Sequence, residues 1–173
     1  MQETAADLAA LQDLLDRSYA SAGPHMRRII TTERRLTAEE VSRRLTGMSL
    51  LALATSTRDG RPIVGPVDGI FFRGAFHFGS APDSLRFRHI DERPHVSATH
   101  LPGEELAVTV HGRAVPVDVA SGPFREALLG IYVPRYGPEW AHDFLDSGPV
   151  YARIDADRMF TFHMPPEPGT ARA

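Results

Sequence analysis

At Ser49 the apolar pattern of this chain changes from helical spacing to strand spacing, and that switch constrains the fold more than any other feature. Ser49–Ser56 is a mostly apolar run, and Arg58-Asp59-Gly60-Arg61 supplies an Asp-Gly hairpin turn. Pro62–Phe72 continues as a second strand, broken by Gly65-Pro66 and Gly69. A proline there loses a ladder donor, so the segment predicts a sheet edge, a bulge, or backbone left open to a ligand. Arg73-Gly74 turns into a third strand, Ala75–Phe78, and a helix over 83–92 follows. Further strands are predicted at His95–His100 and at Leu106–Val119, where AVTVHGRAVPV alternates sharply and Gly112 marks a bend. Ser121–Tyr132 and Glu139–Leu145 read as short helices, and Tyr151–Ile154 and Met159–His163 as two closing strands. Six or seven antiparallel strands with one helix inserted after the third predict a mainly β fold, a small barrel, because closure removes exposed edges.

The first 47 residues differ. Thr4 with Asp7 starts a run in which Leu8, Leu11, Leu15 and Tyr19 recur at helical spacing as far as Gly23-Pro24. Thr37-Ala-Glu-Glu40 is a capping box, with Val41, Leu45 and Met48 on one face and Gly47 as the stop. These helices either pack on the barrel or extend a dimer interface, and their stripes read as core. The expected organisation is a helical extension over 1–47, a barrel domain over 48–164 and a frayed tail over 165–173. A length of 173 residues suits about one domain. Trp140, the sole tryptophan, reads as a core residue, with a site mouth or dimer contact as the alternative.

Composition excludes several chemistries. There is no cysteine, which removes disulfides, thiolate nucleophiles and zinc-thiolate or Fe–S ligation. All 19 Lys-plus-Arg residues are arginine, which removes Schiff-base chemistry and the lysine of a phosphate-binding Walker loop. The eight histidines include no HExxH spacing, so no metal site is expected, and no GxSxG elbow is present for acyl transfer. Net charge is −3, without basic runs interleaved with aromatics, which disfavours nucleic acid as a partner. No apolar run is long enough for a bilayer and the N-terminus lacks a signal pattern, so no membrane contact and a cytoplasmic location are expected.

The stretch Phe78–Val96, FGSAPDSLRFRHIDERPHV, carries the functional expectation. It reads as a strand end, a turn with two hydroxyls, and a helix start closely followed by Arg86 and Arg88. Helix starts expose unpaired N–H groups and a partial positive charge, and Arg suits the fork geometry of phosphate. Ser80, Ser84 and Arg86 would converge on a phosphate monoester. The alternative is an ordinary strand–helix connection with a solvated basic face.

The order of these pieces resembles the pyridoxamine 5′-phosphate oxidase-like proteins, the FMN-binding split β-barrels. The resemblance covers roughly Met48 to His163, through ATSTRDGRPIVGPVDG, FHFGSAPDSLRFRHIDERPHVSATH, ELAVTVHGRAV and YARIDADRMFTF. It implies a split barrel, an oxidoreductase using FMN on a small-molecule substrate, and a homodimer. It implies that Gly65, Pro66, Val67 and Asp68 run along the flavin ring. Gly79 and Ser80 then lie near the phosphate, with Ser84-Leu85-Arg86 on the family's Ser-x-Lys and Arg86 replacing the lysine. Arg88 matches a second basic position, or pairs with Asp91 or Glu92 along the helix. Asp68 would steer the flavin's polar edge or a substrate, or else stabilise a turn. Ala107 stands where the oxidase itself has a flavin-contacting Gln, and Met159-Phe-Thr-Phe162 replaces its Ile-Glu-Phe-Trp. Its C-terminal Arg-Leu-His-Asp-Arg segment is missing, so the resemblance is to a relative of that oxidase and not to the enzyme of vitamin B6 synthesis. Relatives also bind the deazaflavin coenzyme F-420, whose longer anionic tail Arg58, Arg61 and Arg88 would serve, or haem, so the alternatives are an F-420-dependent reductase of the same fold and a non-catalytic flavin- or haem-binding protein. The chemistry would belong to the cofactor, and no side chain is assigned as catalytic, although His89 and His95 fall near the site.

Overall fold

The capping box read at Thr37 forms, and the helix start at Thr4 is a second one. Thr4 Oγ1 accepts from the Asp7 amide at 3.2 Å while the Asp7 carboxylate accepts from the Thr4 amide at 2.8 Å, and this starts α1 (Ala5–Ala20). A short α2 (Pro24–Ile29), not foreseen in the sequence, begins on Pro24. Proline suits that first-turn position because its missing N–H would have no helical partner there. Thr37 and Glu40 cap α3 (Ala38–Arg44) in the same reciprocal way. This computed structural model describes residues 2–164, so the frayed tail expected over 165–173 lies outside the described residues.

Six strands follow: β1 (Met48–Ser56), β2 (Pro62–Phe72), β3 (Ala75–Ser80), β4 (His95–Gly103), β5 (Leu106–Val117) and β6 (Val150–His163). All pairs are antiparallel, and the order β1-β2-β3-β6-β5-β4 closes into a barrel through three register pairs between β1 and β4. The fold is mainly β, a split barrel with flanking helices. The alternation of β5 is borne out: Leu106, Val108, Val110 and Ala114 point inward while their neighbours face out.

The two closing strands expected at Tyr151–Ile154 and Met159–His163 are one continuous strand, β6. The polar Asp155-Ala-Asp-Arg158 segment looks like a turn in sequence, but it runs along β5. Its extra residue is absorbed where the register shifts, His111 facing Arg158 and Gly112 facing Ala156. Gly112 is required there, since a Cβ would sit 2.1 Å from the Asp155 carbonyl oxygen.

The N-terminal helices pack on the barrel. Leu11, Leu14 and Leu15 of α1 join the barrel core. Ser18 Oγ donates to Leu14 O at 2.6 Å and accepts from the Met159 amide at 3.0 Å, and Tyr19 hydroxyl accepts from the Thr161 amide at 2.7 Å. These bonds tie α1 to the backbone of β6 inside the core, where an unmade partner would be costly.

Two further helices, α5 (Pro123–Tyr136) and α6 (Pro138–Asp146), pack on outward-facing side chains of β2, β3 and β6. Ile70, Phe72, Phe124, Leu128, Leu145 and Tyr151 form this second core. Trp140 is outside it, 44% exposed and stacked on Phe144 with ring centroids 4.9 Å apart, which corrects its expected core position. Among the described residues no helix is long and apolar enough to cross a membrane.

Candidate cofactor site

The β2–β3 ladder runs only from Gly69 to Phe72 on β2, so Pro62–Asp68 have no strand partner on that side. On the other side the same residues pair with β1 throughout. This is the split of the barrel, and of the alternatives read from Gly65-Pro66 it is the open edge. The gap is faced by the loop 81–84 and by α4 (Leu85–Glu92), which Ser84 caps by accepting from the Phe87 amide at 3.4 Å. Arg86 reaches across it. Its Nη2 donates to the Pro66 carbonyl at 3.0 Å, and a Cβ added to Gly65 would lie 3.4 Å from the same nitrogen. In an antiparallel strand, residues two apart turn their backbone groups to the same side. Val64 and Asp68 therefore share the direction of the Pro66 carbonyl and face the split.

Two cavities open along this seam. The first, of about 250 Å³, is lined by Gly65, Ser84, Leu85 and Arg86, together with Thr55 and His89. Arg86 is half-buried, and burial lowers its pKa from the ordinary guanidinium value, which still leaves it charged. One N–H is spent on Pro66, leaving the rest of the fork for an anion. The Ser84 hydroxyl hydrogen and the first amides of α4 lie beside it. His89 Nδ1 shares a 3.0 Å hydrogen bond with Thr55 Oγ1 across the cleft floor, which fixes the ring. The donor set fits a phosphate monoester.

The second cavity, of about 270 Å³, is lined by Asp68, Gly79 and Ser80 together with Tyr132, Phe144 and Tyr151. Gly79 is glycine for a packing reason: a Cβ would meet the Tyr151 ring at 2.6 Å. The Tyr132 and Tyr151 hydroxyls share a 2.7 Å hydrogen bond. Burial pushes both phenols above their ordinary pKa, Tyr151 well above it, with Asp68 adding to the effect.

The structure thus divides the residues singled out in the sequence. Gly65, Ser84, Leu85 and Arg86 share one cavity, Asp68, Gly79 and Ser80 share the next, and the Pro66 carbonyl lies where Arg86 crosses between β2 and α4. Val67 turns its side chain into the barrel core and, by the same alternation, its backbone N–H and C=O toward β1, so it borders the seam without offering it a polar group. Arg88 is exposed and lines neither cavity; Glu92 pairs with Arg93 at 2.6 Å, so the expected helix pairing does not form there. Arg61 is engaged by Asp59 at 2.9 Å. Tyr132, Phe144 and Tyr151 were missed, because nothing local in sequence links three residues brought together from α5, α6 and β6. Thr55 alternates inward on β1 and carried no signal beyond its strand position.

No family model matches the chain, and no curated protein does. Solved structures do. The conserved hypothetical protein Rv2991 from Mycobacterium tuberculosis superposes with a TM-score of 0.60 at 20% identity, covering 82% of this chain and 98% of that one. An FAD-binding protein from Mesorhizobium loti gives 0.53 at 22% identity over 76% of this chain and 98% of its own. An F-420 reductase gives 0.50 at 19% identity over 66% of this chain and 91% of its own. At these identities the likeness is one of fold: this chain is a split β-barrel of the architecture that those proteins share.

Proposed function

We propose that this chain is an FMN-dependent oxidoreductase of the pyridoxamine 5′-phosphate oxidase-like family, acting on a small molecule. The observation that carries the reading is the unpaired edge of β2 from Val64 to Asp68, facing the charged fork of Arg86 across an open cleft. A phosphorylated, flat cofactor needs both elements: an anion pocket and an exposed ribbon of backbone. Arg86, Ser84 and the first amides of α4 would hold the phosphate. The backbone of Gly65, Pro66, Val67 and Asp68 would run along the ring system, and Gly79, Ser80 and Leu85 would border it. When bound, the flavin supplies two-electron chemistry, and the protein supplies orientation and field. No side chain on the seam is assigned as an acid or base.

The fold's presence in an FAD-binding protein and in an F-420 reductase supports a flavin-type guest and keeps coenzyme F-420 as the second reading. Exposed Arg88, which makes no ion pair among the described residues, favours that reading, since a longer anionic tail would need such a charge beyond the cleft. The spectrum of the purified protein decides between them. Absorbance near 450 nm indicates flavin, a single band near 420 nm indicates the deazaflavin, and a Soret band would indicate haem and overturn both. A homodimer belongs to the same proposal. Leu50, Val64 and Leu101 are each more than 60% exposed on the outer barrel face, where a solvated sheet would carry polar side chains.

A further inference from the structure

The second cavity has features that anchoring a phosphate does not explain. Tyr132 and Tyr151 are 5% and 4% exposed, and their hydroxyls bond to each other at 2.7 Å. Each phenol carries one hydrogen, and one bond between the two uses only one of them. Among the described residues neither hydroxyl has any other partner, so one buried O–H remains to be satisfied. It borders open space of about 270 Å³. That volume admits one ring with a short substituent. Phe144, Pro82 and Pro149 supply flat apolar walls, while among the described residues Asp68 is the only charged side chain on the lining.

We propose that this cavity binds a small, neutral, planar molecule bearing a carbonyl-type acceptor, which receives the free hydrogen of the Tyr132–Tyr151 pair while its ring lies against Phe144. Burial keeps both phenols protonated, so the pair stays a donor across the physiological range. A carboxylate in the same place would face Asp68 with no cation on the cavity wall to offset the repulsion. The ligand's role as the second reactant rests on the flavin reading above, whereas its capture rests on this cavity alone.

Trp140 provides the readout, being the sole tryptophan and stacked at 4.9 Å and 6° on Phe144 of the cavity wall. Benzamide should change its emission saturably, and benzoate, the same ring with a charge, should bind about tenfold more weakly. The variant Tyr132→Phe/Tyr151→Phe keeps both rings and should weaken benzamide about tenfold. Toluene, which has no acceptor, should bind that variant at least as well as the native chain. Benzoate binding as tightly as benzamide, or benzamide indifferent to the loss of both hydroxyls, would overturn the proposal. The comparison of the two probes needs no variant, so it decides even if the double variant does not fold. FMN uptake is read separately from flavin fluorescence: its failure alongside intact benzamide binding removes the reactant role and supports the cavity as a site in its own right.

Discussion

Removing the guanidinium of Arg86 tests the anion cleft directly. In the structure this side chain spends one N–H on the Pro66 carbonyl at 3.0 Å and turns the others toward the cleft. A hydrogen bond to a charged partner contributes about 1.5–3 kcal/mol. Because Arg86 is only half-buried, solvent screening places the value in the lower part of that range, and about 1.4 kcal/mol corresponds to tenfold in affinity. Arg86→Ala should therefore raise the FMN dissociation constant by about 10- to 30-fold, measured by titration of flavin fluorescence. The freed Pro66 carbonyl sits at an exposed edge where water can replace the guanidinium, so folding stability should change by less than about 1 kcal/mol. Arg86→Lys keeps the charge without the planar fork and should recover part of the loss. Unchanged FMN affinity in a natively folded Arg86→Ala protein would refute the placement of the phosphate.

His77 donates from Nδ1 to the Ala75 carbonyl and lies against Phe72 and Phe124, and burial lowers its pKa from 6.5 to about 4. The unfolded chain thus takes up this proton first as pH falls, and stability should drop by up to about 3 kcal/mol between roughly pH 6.5 and 4. His77→Phe should flatten that slope in urea titrations, and an unaltered slope would exclude His77 as its source. Gly112→Ala, which would place a Cβ 2.1 Å from the Asp155 carbonyl oxygen, should cost more than about 3 kcal/mol or prevent folding. Gly130→Ala on α5 meets nothing within 4 Å and should stabilise by about 0.5–1 kcal/mol, so opposite signs in thermal melts check both. Val64→Glu puts a charge on a residue 65% exposed on the outer face and should convert a dimer to monomer in sedimentation without altering the fold. A dimer persisting in that variant would place the interface elsewhere.

The barrel was legible in the sequence because its determinants are local. The Asp-Gly turn, the alternation of β5, the helix start at Thr4 and the capping box at Thr37 each act over fewer than a dozen residues, and each formed. The single reading that failed in topology, two strands in place of β6, failed for the same reason. Asp155-Ala-Asp-Arg158 has turn composition, and only the pairing with β5, more than forty residues earlier in the chain, holds it extended. The cleft was half legible. Ser84 and Arg86 lie within one turn of helix and announce themselves, while Tyr132 and Tyr151 meet through a hydrogen bond 19 residues apart in sequence. Trp140 reads as core from its residue type alone, which does not say whether another element covers its ring, and the residue is 44% exposed.

The open part of β2 and the candidate site are the same feature, and Arg86 explains why the fold tolerates it. A sheet edge with unpaired backbone groups invites association with other chains unless something blunts it. Here Pro66 removes one donor outright, and the Arg86 guanidinium takes the Pro66 carbonyl, so α4 stands in for the strand that β3 does not provide beyond Gly69. A lysine could donate to both with its three N–H groups, but only as a compact point charge, whereas a guanidinium holds the carbonyl and an anion from one rigid planar fork. The residue that closes the edge is thereby the one left holding spare donors over the cleft. Any substitution that repaired the split by extending the β2–β3 ladder would bury the backbone of Val64 to Asp68 and withdraw those donors together.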